Sequence, residues 1–289
     1  MRKSAFLVKW TENIFYLILF KFICEKLIKI IKMKKLLFLI SISILFFTSC
    51  IPNPEENPDP IIPPTFTLLS KTVDTYTRPA GDSIVTSNFT YNGFKLVSVI
   101  GDTDDSDLYA TYTGDLITKL EYRFADGTVE QTELFSYDDT NRLSAYVRID
   151  PAMDWGNKET YVYNADGTVS VTHFIGDATT QTQLNNTAVI TFANGEISNI
   201  TNDLGSVYTY SYDTKNNPFK NIMGYNKIAI VGGIAEGIAH NIVQENESFS
   251  GVNTAYNYVF TYNAAGYPDT SIQNEDEIAA SNYLTNYFY

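Results

Sequence analysis

From Phe66 onward, apolar and polar residues alternate with a period of two, and polar turns interrupt the alternation at short intervals. A half-buried strand writes this pattern, because successive side chains leave it on opposite faces. Residues 134–146 show the unit. Phe135 and Tyr137 stand two apart, a polar turn follows, and then Leu143, Ala145, Val147 and Ile149 stand two apart. This reads as a hairpin with one buried face, and it places those four residues on that face. The unit returns as Phe89-Thr90-Tyr91-Asn92-Gly93, Tyr161-Val162-Tyr163-Asn164, Tyr208-Thr209-Tyr210-Ser211-Tyr212-Asp213 and Tyr258-Val259-Phe260-Thr261-Tyr262-Asn263. Weaker copies surround Tyr112 and Phe192.

Tyr91, Tyr112, Tyr137, Tyr163, Phe192, Tyr212 and Tyr262 serve as anchors of the copies, spaced by 21, 25, 26, 29, 20 and 50 residues. One hairpin per ~20–30 residues makes a stacked β-array. Asn92-Gly93 and Asn194-Gly195 suit two-residue I′ turns, and Asp126-Gly127 and Asp166-Gly167 supply positive φ in similar loops. The expected fold is all-β: consecutive antiparallel hairpins in a strongly twisted, curved open sheet or incomplete barrel. One domain over 66–289 accounts for the pattern, with an insertion at about 217–243. That insertion holds the Gly-rich run Ile228–Ala235, which is not a dinucleotide fingerprint and reads as a loop with a short helix plugging one end of the sheet.

The N-terminal part differs. Met33-Lys34-Lys35 and the 12-residue apolar run Leu36–Phe47 have the dimensions of a signal peptide and fall short of the ~20 residues that span a bilayer. Phe47-Thr48-Ser49-Cys50 is similar to a bacterial lipobox, with Cys50 the lipid-attachment residue. Residues 1–32 precede this signal (33–49) as an extension or mis-assigned start, and 50–65 form a tether with six prolines and three acidic residues between Ile51 and Pro64. The aromatic-x-Tyr-Asp/Asn turns resemble the YD repeats of the Rhs family. With the lipobox, the chain resembles YD-repeat lipoproteins of Bacteroidetes-type bacteria. That resemblance implies a scaffold and names no reaction.

Charge narrows the partners. The full chain has net charge −13, and residues 1–49 carry nine of its 20 basic and two of its 33 acidic residues. From Cys50 onward, 11 basic residues face 31 acidic ones. Such a chain is repelled by nucleic acid and by anionic lipid headgroups. No cofactor motif is present. His173 and His240 have no second ligand at metal spacing and read as structural. No nucleophile elbow, HExxH or phosphate loop occurs, so a non-catalytic reading leads and enzymatic activity is left open. Asp102, Asp104 and Asp107 form a weak calcium candidate: oxygens at Asp102, Asp104 and Ser106 imitate the start of a calcium loop, but its Gly and twelfth-position Glu are absent. The expected protein is a lipid-anchored scaffold or binding module of the bacterial outer membrane, facing either the periplasm or the cell surface. The membrane is its partner through the lipid, with an envelope protein or a glycan as ligand. The alternative is a glycan-binding or glycan-active protein using exposed tyrosines and carboxylates.

Overall fold

The computed structural model describes residues 66–77, 81–103, 105–275 and 283–289. Cys50, the apolar segment 36–47, the tether and Asp104 lie outside the described residues.

Sixteen strands follow in chain order: Lys71–Tyr76 (β1), Ser83–Asn92 (β2), Lys95–Gly101 (β3), Asp107–Thr113 (β4), Leu116–Arg123 (β5), Val129–Tyr137 (β6), Leu143–Asp150 (β7) and Trp155–Tyr163 (β8). They continue with Val169–Gly176 (β9), Gln181–Ala193 (β10), Glu196–Asn202 (β11), Val207–Tyr212 (β12), Ile242–Phe249 (β13), Val252–Tyr262 (β14), Pro268–Glu275 (β15) and Tyr283–Phe288 (β16). Each strand pairs antiparallel with its neighbours in sequence, and β1 pairs with β16 over six residue pairs, from Lys71↔Phe288 to Tyr76↔Tyr283. The sheet is therefore a closed barrel. The open or incomplete sheet expected from the sequence is corrected here. Closure removes both unpaired edges, which a sheet of so many strands otherwise exposes.

The hairpins carry a regular defect. Tyr91 pairs with Leu96 and Thr90 with Ser98, so Val97 has no partner on β2. The same two-for-one mismatch skips Thr118, Ser144, Ser198 and Asp269, each time opposite an aromatic anchor: Tyr112, Tyr137, Phe192 and Tyr262. These are β-bulges, which bend the strand and increase its twist. They also shift the phase of alternation. Leu143 and Tyr146 are both fully buried, while Ala145 and Val147 fall on the other face. The expectation that Leu143, Ala145, Val147 and Ile149 share the buried face fails because Ser144 is the extra residue. Leu96/Val99, Ile117/Leu120 and Ile197/Ile200 repeat the same three-residue step between buried positions.

Turn chemistry sets the hairpin ends. Asn194 (φ 54°) and Gly195 (φ 84°) form the central pair between Ala193 and Glu196, as a I′ turn requires. In the β2–β3 hairpin the central pair is Gly93-Phe94, one residue later than expected, because Asn92 pairs with Lys95.

Inward residues of β2–β11 make the core, including Phe89, Ile117, Tyr122, Phe135, Tyr146, Tyr161, Val171 and Ile190. Outward residues are mixed. On β5, Lys119, Glu121 and Arg123 form an ion-pair row with contacts of 2.8 and 2.6 Å. Exposed aliphatics are interleaved with polar neighbours: Val189 stands between Ser170 and Thr201, and Leu134 lies beside Lys119.

Candidate functional site

The β12–β13 connection, residues 213–241, is the longest in the barrel, and it turns inward. It contains one helical turn, Tyr225–Ile228 (α1), and a 3₁₀ turn, Val231–Gly233. Phe219, Ile222, Tyr225, Ile228, Ala229 and Ile230 are all buried. The Phe219 ring stacks on Phe89 of β2 at 6.3 Å and packs against Tyr225 at 6.1 Å. This apolar side fastens the segment to the β2–β11 half of the wall.

Polar contacts hold the rest of the segment. The Glu196 carboxylate, on β11, accepts the backbone N–H groups of Ile238, Ala239 (2.6 Å) and His240 (3.0 Å), and lies 3.1 Å from His240 Nδ1. Three convergent amides around one carboxylate neutralise a charge that would otherwise be costly at a site only 4% exposed. Gly237 makes the turn possible: its φ is +79°, and a Cβ there would lie 2.4 Å from the His240 carbonyl. Glu159 of β8 accepts the Gly232 N–H at 3.0 Å and the Tyr161 hydroxyl, and lies 3.3 Å from His173 Nδ1. Although Glu159 is fully buried and burial by itself raises its carboxyl, the His173 ring and these donors outweigh it and hold the group below the usual range. Met223 N–H donates to the Phe94 carbonyl, and Asn221 bridges Thr67 and the Tyr267 hydroxyl. Asp213 closes the base by accepting the Asn241 N–H at 3.1 Å and the Tyr262 hydroxyl.

The two histidines thus each meet a carboxylate that sequence spacing did not reveal. His240 and Glu196 are 44 residues apart. Among the described residues no cluster of three or more His, Cys, Asp or Glu side chains is arranged to hold a metal. The weak calcium candidate is occupied by backbone: Asp102 Oδ1 accepts the Thr86 N–H at 2.7 Å, and Asp107 Oδ1 accepts the Gly101 N–H at 3.0 Å. Asp102 is fully exposed, and the Thr86 amide holds its carboxyl below the usual range.

The aromatic anchors lie on the inner face, at the plugged end of their hairpins. Tyr137 donates its hydroxyl to the Ile117 carbonyl, Tyr212 to Ile197 (2.7 Å) and Tyr91 to Leu69 (2.7 Å), while Tyr112 accepts the Leu96 N–H at 3.0 Å. Tyr163 meets the Leu143 backbone in the same way. Tyr262 turns instead to Asp213, and Phe192 has no hydroxyl to contribute.

Comparison with solved structures finds this barrel similar in fold to two porin-like proteins. One, from Bacteroides vulgatus ATCC 8482, has a TM-score of 0.50 at 10% identity, over 78% of this chain and 99% of that one. The other, from Bacteroides uniformis ATCC 8492, has a TM-score of 0.47 at 14% identity, over 77% of this chain and 98% of that one. No protein-family profile matches the chain, and no curated protein does. The resemblance to YD-repeat, Rhs-like lipoproteins is overturned. The closed sixteen-stranded barrel, with the porin-like fold neighbour from Bacteroides vulgatus, overturns it: the aromatic-x-Tyr-Asp/Asn segments are strand ends of one barrel.

The other half of the inner wall is chemically different. Inward residues of β12–β16 and β1 include Tyr208, Tyr210, Glu245, Glu247, Tyr256, Tyr258, Tyr283 and Asp74, placed by their register. Most are half-buried, so solvent reaches this side. The Tyr208 hydroxyl donates to Glu247 at 2.9 Å. Burial, with that carboxylate beside it, pushes the Tyr208 phenol up to about 12.

Proposed function

We propose that this protein is a non-catalytic binding barrel of a bacterial outer membrane, tethered through a lipid on Cys50 and closed to through-flow. The observation that carries the reading is the inward-folded segment 213–241, clamped by Glu196 and Glu159 at one end of the lumen. A sixteen-stranded porin-type barrel leaves a water-filled channel. Here that space holds a packed peptide segment with its own apolar core.

The outer face supports a tether rather than an embedded wall. A lipid-facing barrel presents a continuous apolar band flanked by aromatic girdles, and a Lys or Arg at its midplane costs about 2–4 kcal/mol. Lys119, Glu121 and Arg123 sit on one outward row, and serine, threonine and asparagine separate the exposed aliphatics. A barrel held beside the membrane by an N-terminal lipid meets none of those costs.

Two measurements test the reading. Purified protein added to planar lipid bilayers is expected to give no unitary conductance, and Cys50→Ser is expected to move the protein from the membrane to the soluble fraction. Porin-like conductance steps, or membrane retention of the Cys50→Ser protein after a carbonate wash, would overturn it.

A further inference from the structure

Of the three described arginines, Arg123 and Arg142 are ion-paired, with Glu121 and Asp138. Arg148 is not. It lies on β7 between Tyr146 and Asp150, both buried on the inner face, and its guanidinium stands 5.6 Å from the centre of the Trp155 ring on β8. Its Nε is shut off from solvent and has no hydrogen-bond partner. Among the described residues no carboxylate forms an ion pair with it. Glu133, opposite Arg148 on β6, accepts the Gln131 amide at 2.7 Å, and Asp150 accepts the Met153 N–H. A guanidinium drawn into a protein wall ordinarily has its donors satisfied and its charge matched.

The neighbouring strand repeats the observation. Asn157 of β8 pairs with Arg148 in register, and its Oδ1 is likewise buried and without a donor. A donor and an acceptor thus sit side by side on the inner wall without satisfying each other. Trp155 opens β8 and the anchor Tyr163 closes it, so this group lies at the end of the barrel away from the anchors. Trp155 is 37% exposed there, and solvent reaches the row. Two strands on, Gln183 and Asn186 of β10 pair with Ile175 and with the inward His173, which continues a polar wall.

Each feature names part of a ligand. A guanidinium fork matches a carboxylate. The Asn157 oxygen requires a hydroxyl or N–H donor, and the flat indole takes the apolar face of a ring. Glu133 and Arg148 act with opposite sign on the same two phenols, Tyr122 and Tyr146, so a second negative charge on the ligand would meet Glu133 at close quarters. That favours a carboxylate over a phosphate.

We propose that this wall binds an acidic sugar, a pyranose bearing one carboxylate, with the carboxylate on Arg148, a hydroxyl on Asn157 and a ring face against Trp155. A neutral sugar would leave the guanidinium unmatched, and a plain aromatic acid would leave the Asn157 oxygen without a donor. The inference rests on the binding-barrel reading and deepens it by naming the ligand class.

The chain has two tryptophans, Trp10 and Trp155, so in a Trp10→Phe background indole fluorescence reports this site alone. The experiment titrates the purified full-length Trp10→Phe protein with trigalacturonate, by fluorescence and by calorimetry. Saturable binding with a change in Trp155 emission is expected, with at least about a tenfold loss of affinity in Arg148→Gln and in Asn157→Ala. Arg148→Lys keeps the charge without the fork and is expected to fall between, which separates loss of the site from loss of the fold; circular dichroism checks every variant. Arg142→Gln, in an outer turn, is expected to bind as the parent does. No saturable binding, equal affinity of Arg148→Gln and the parent, or equally tight binding of maltotriose, benzoate or glucose 6-phosphate would overturn the proposal. A failure here with a silent bilayer leaves the closed barrel standing, whereas conductance steps would refute the closed barrel whatever trigalacturonate does.

Discussion

The Tyr137 hydroxyl donates a 2.6 Å hydrogen bond to the carbonyl of Ile117, twenty residues earlier and in the preceding hairpin. Ile117 is the residue just before the bulge at Thr118, where the ladder is locally disrupted and backbone groups lose their regular partners. Tyr112 meets Leu96, Tyr163 meets Leu143 and Tyr212 meets Ile197, and each of those partners also lies in the first two residues of the second strand of the hairpin before. At these four tyrosines a hairpin thus repairs the defect of its predecessor.

This geometry separates two kinds of aromatic in one motif. Phe135 is 4% exposed and Tyr137 is half-buried. Phe135→Ala is expected to cost about 3–5 kcal/mol, as a fully buried ring does. Tyr137→Phe removes only the hydroxyl and is expected to cost about 1 kcal/mol. Ser136→Ala, on the outer face, is expected to stay within about 0.5 kcal/mol. Urea denaturation midpoints of the three variants check the order, and a Tyr137→Phe change as large as Phe135→Ala would contradict the assignment.

Glu196 is the strongest latch on the inserted segment. Glu196→Ala strands the three amides of Ile238, Ala239 and His240 and is expected to destabilise the protein by about 2–4 kcal/mol. Hydrogen–deuterium exchange is the sharper readout. Amides of residues 232–240 are expected to exchange faster while those of β6 and β7 keep their protection. Uniform acceleration over the whole barrel would mean that the segment is part of the global core and is not latched separately.

Gly224 tests the other end of the segment. Its φ is +76°, and an added Cβ would lie 2.6 Å from the Asp115 carbonyl of the β4–β5 turn. Gly224→Ala is expected to destabilise by more than about 1 kcal/mol, from backbone strain and this clash together. Gly93→Ala also has positive φ but meets nothing within 4 Å, so it is expected to cost less. Thermal melts of the pair measure the difference.

Alkaline pH is expected to unfold the barrel. Tyr112, Tyr163 and Tyr208 are raised from 10 to about 12, each chiefly by burial. Their neutral forms are favoured in the folded state, so their contribution is complete below pH 10 and declines as pH climbs from about 10 through 12. A denaturation midpoint that holds steady from pH 8 to 9.5 and falls between pH 10 and 12 is the expected profile. A midpoint unchanged at pH 12 would contradict it.

Strands and turns were legible in the sequence because their determinants are local: alternation, aromatics before turns, and glycines where φ is positive. Closure was not legible, because Lys71↔Phe288 joins the two ends of the described chain and nothing in either strand distinguishes a paired edge from a free one. The bulges were hidden for a related reason. Ser144 looks like any polar residue in an alternating run, and only the burial of both Leu143 and Tyr146 reveals the shift. Glu159 and Glu196 resembled ordinary polar positions of a strand, since their partners at Gly232 and at Ile238–His240 lie tens of residues away. The lack of basic residues in strands β12 to β16 could have been noticed in the sequence as a gap in positive charge from Val207 to Tyr212 and from Ile242 onward, but which of their side chains face inward needed the register.

Because β1 pairs with β16, the barrel has a seam. While that one contact is unmade, both borders of the sheet offer unpaired amides and carbonyls to any neighbouring chain. Folding is therefore exposed to aggregation for as long as the seam takes to close, a hazard that grows with the long loop such a closure must span. A nick in an outer turn of the folded molecule leaves every strand paired on both sides, whereas unpairing of residues 283–288 reopens the whole cylinder.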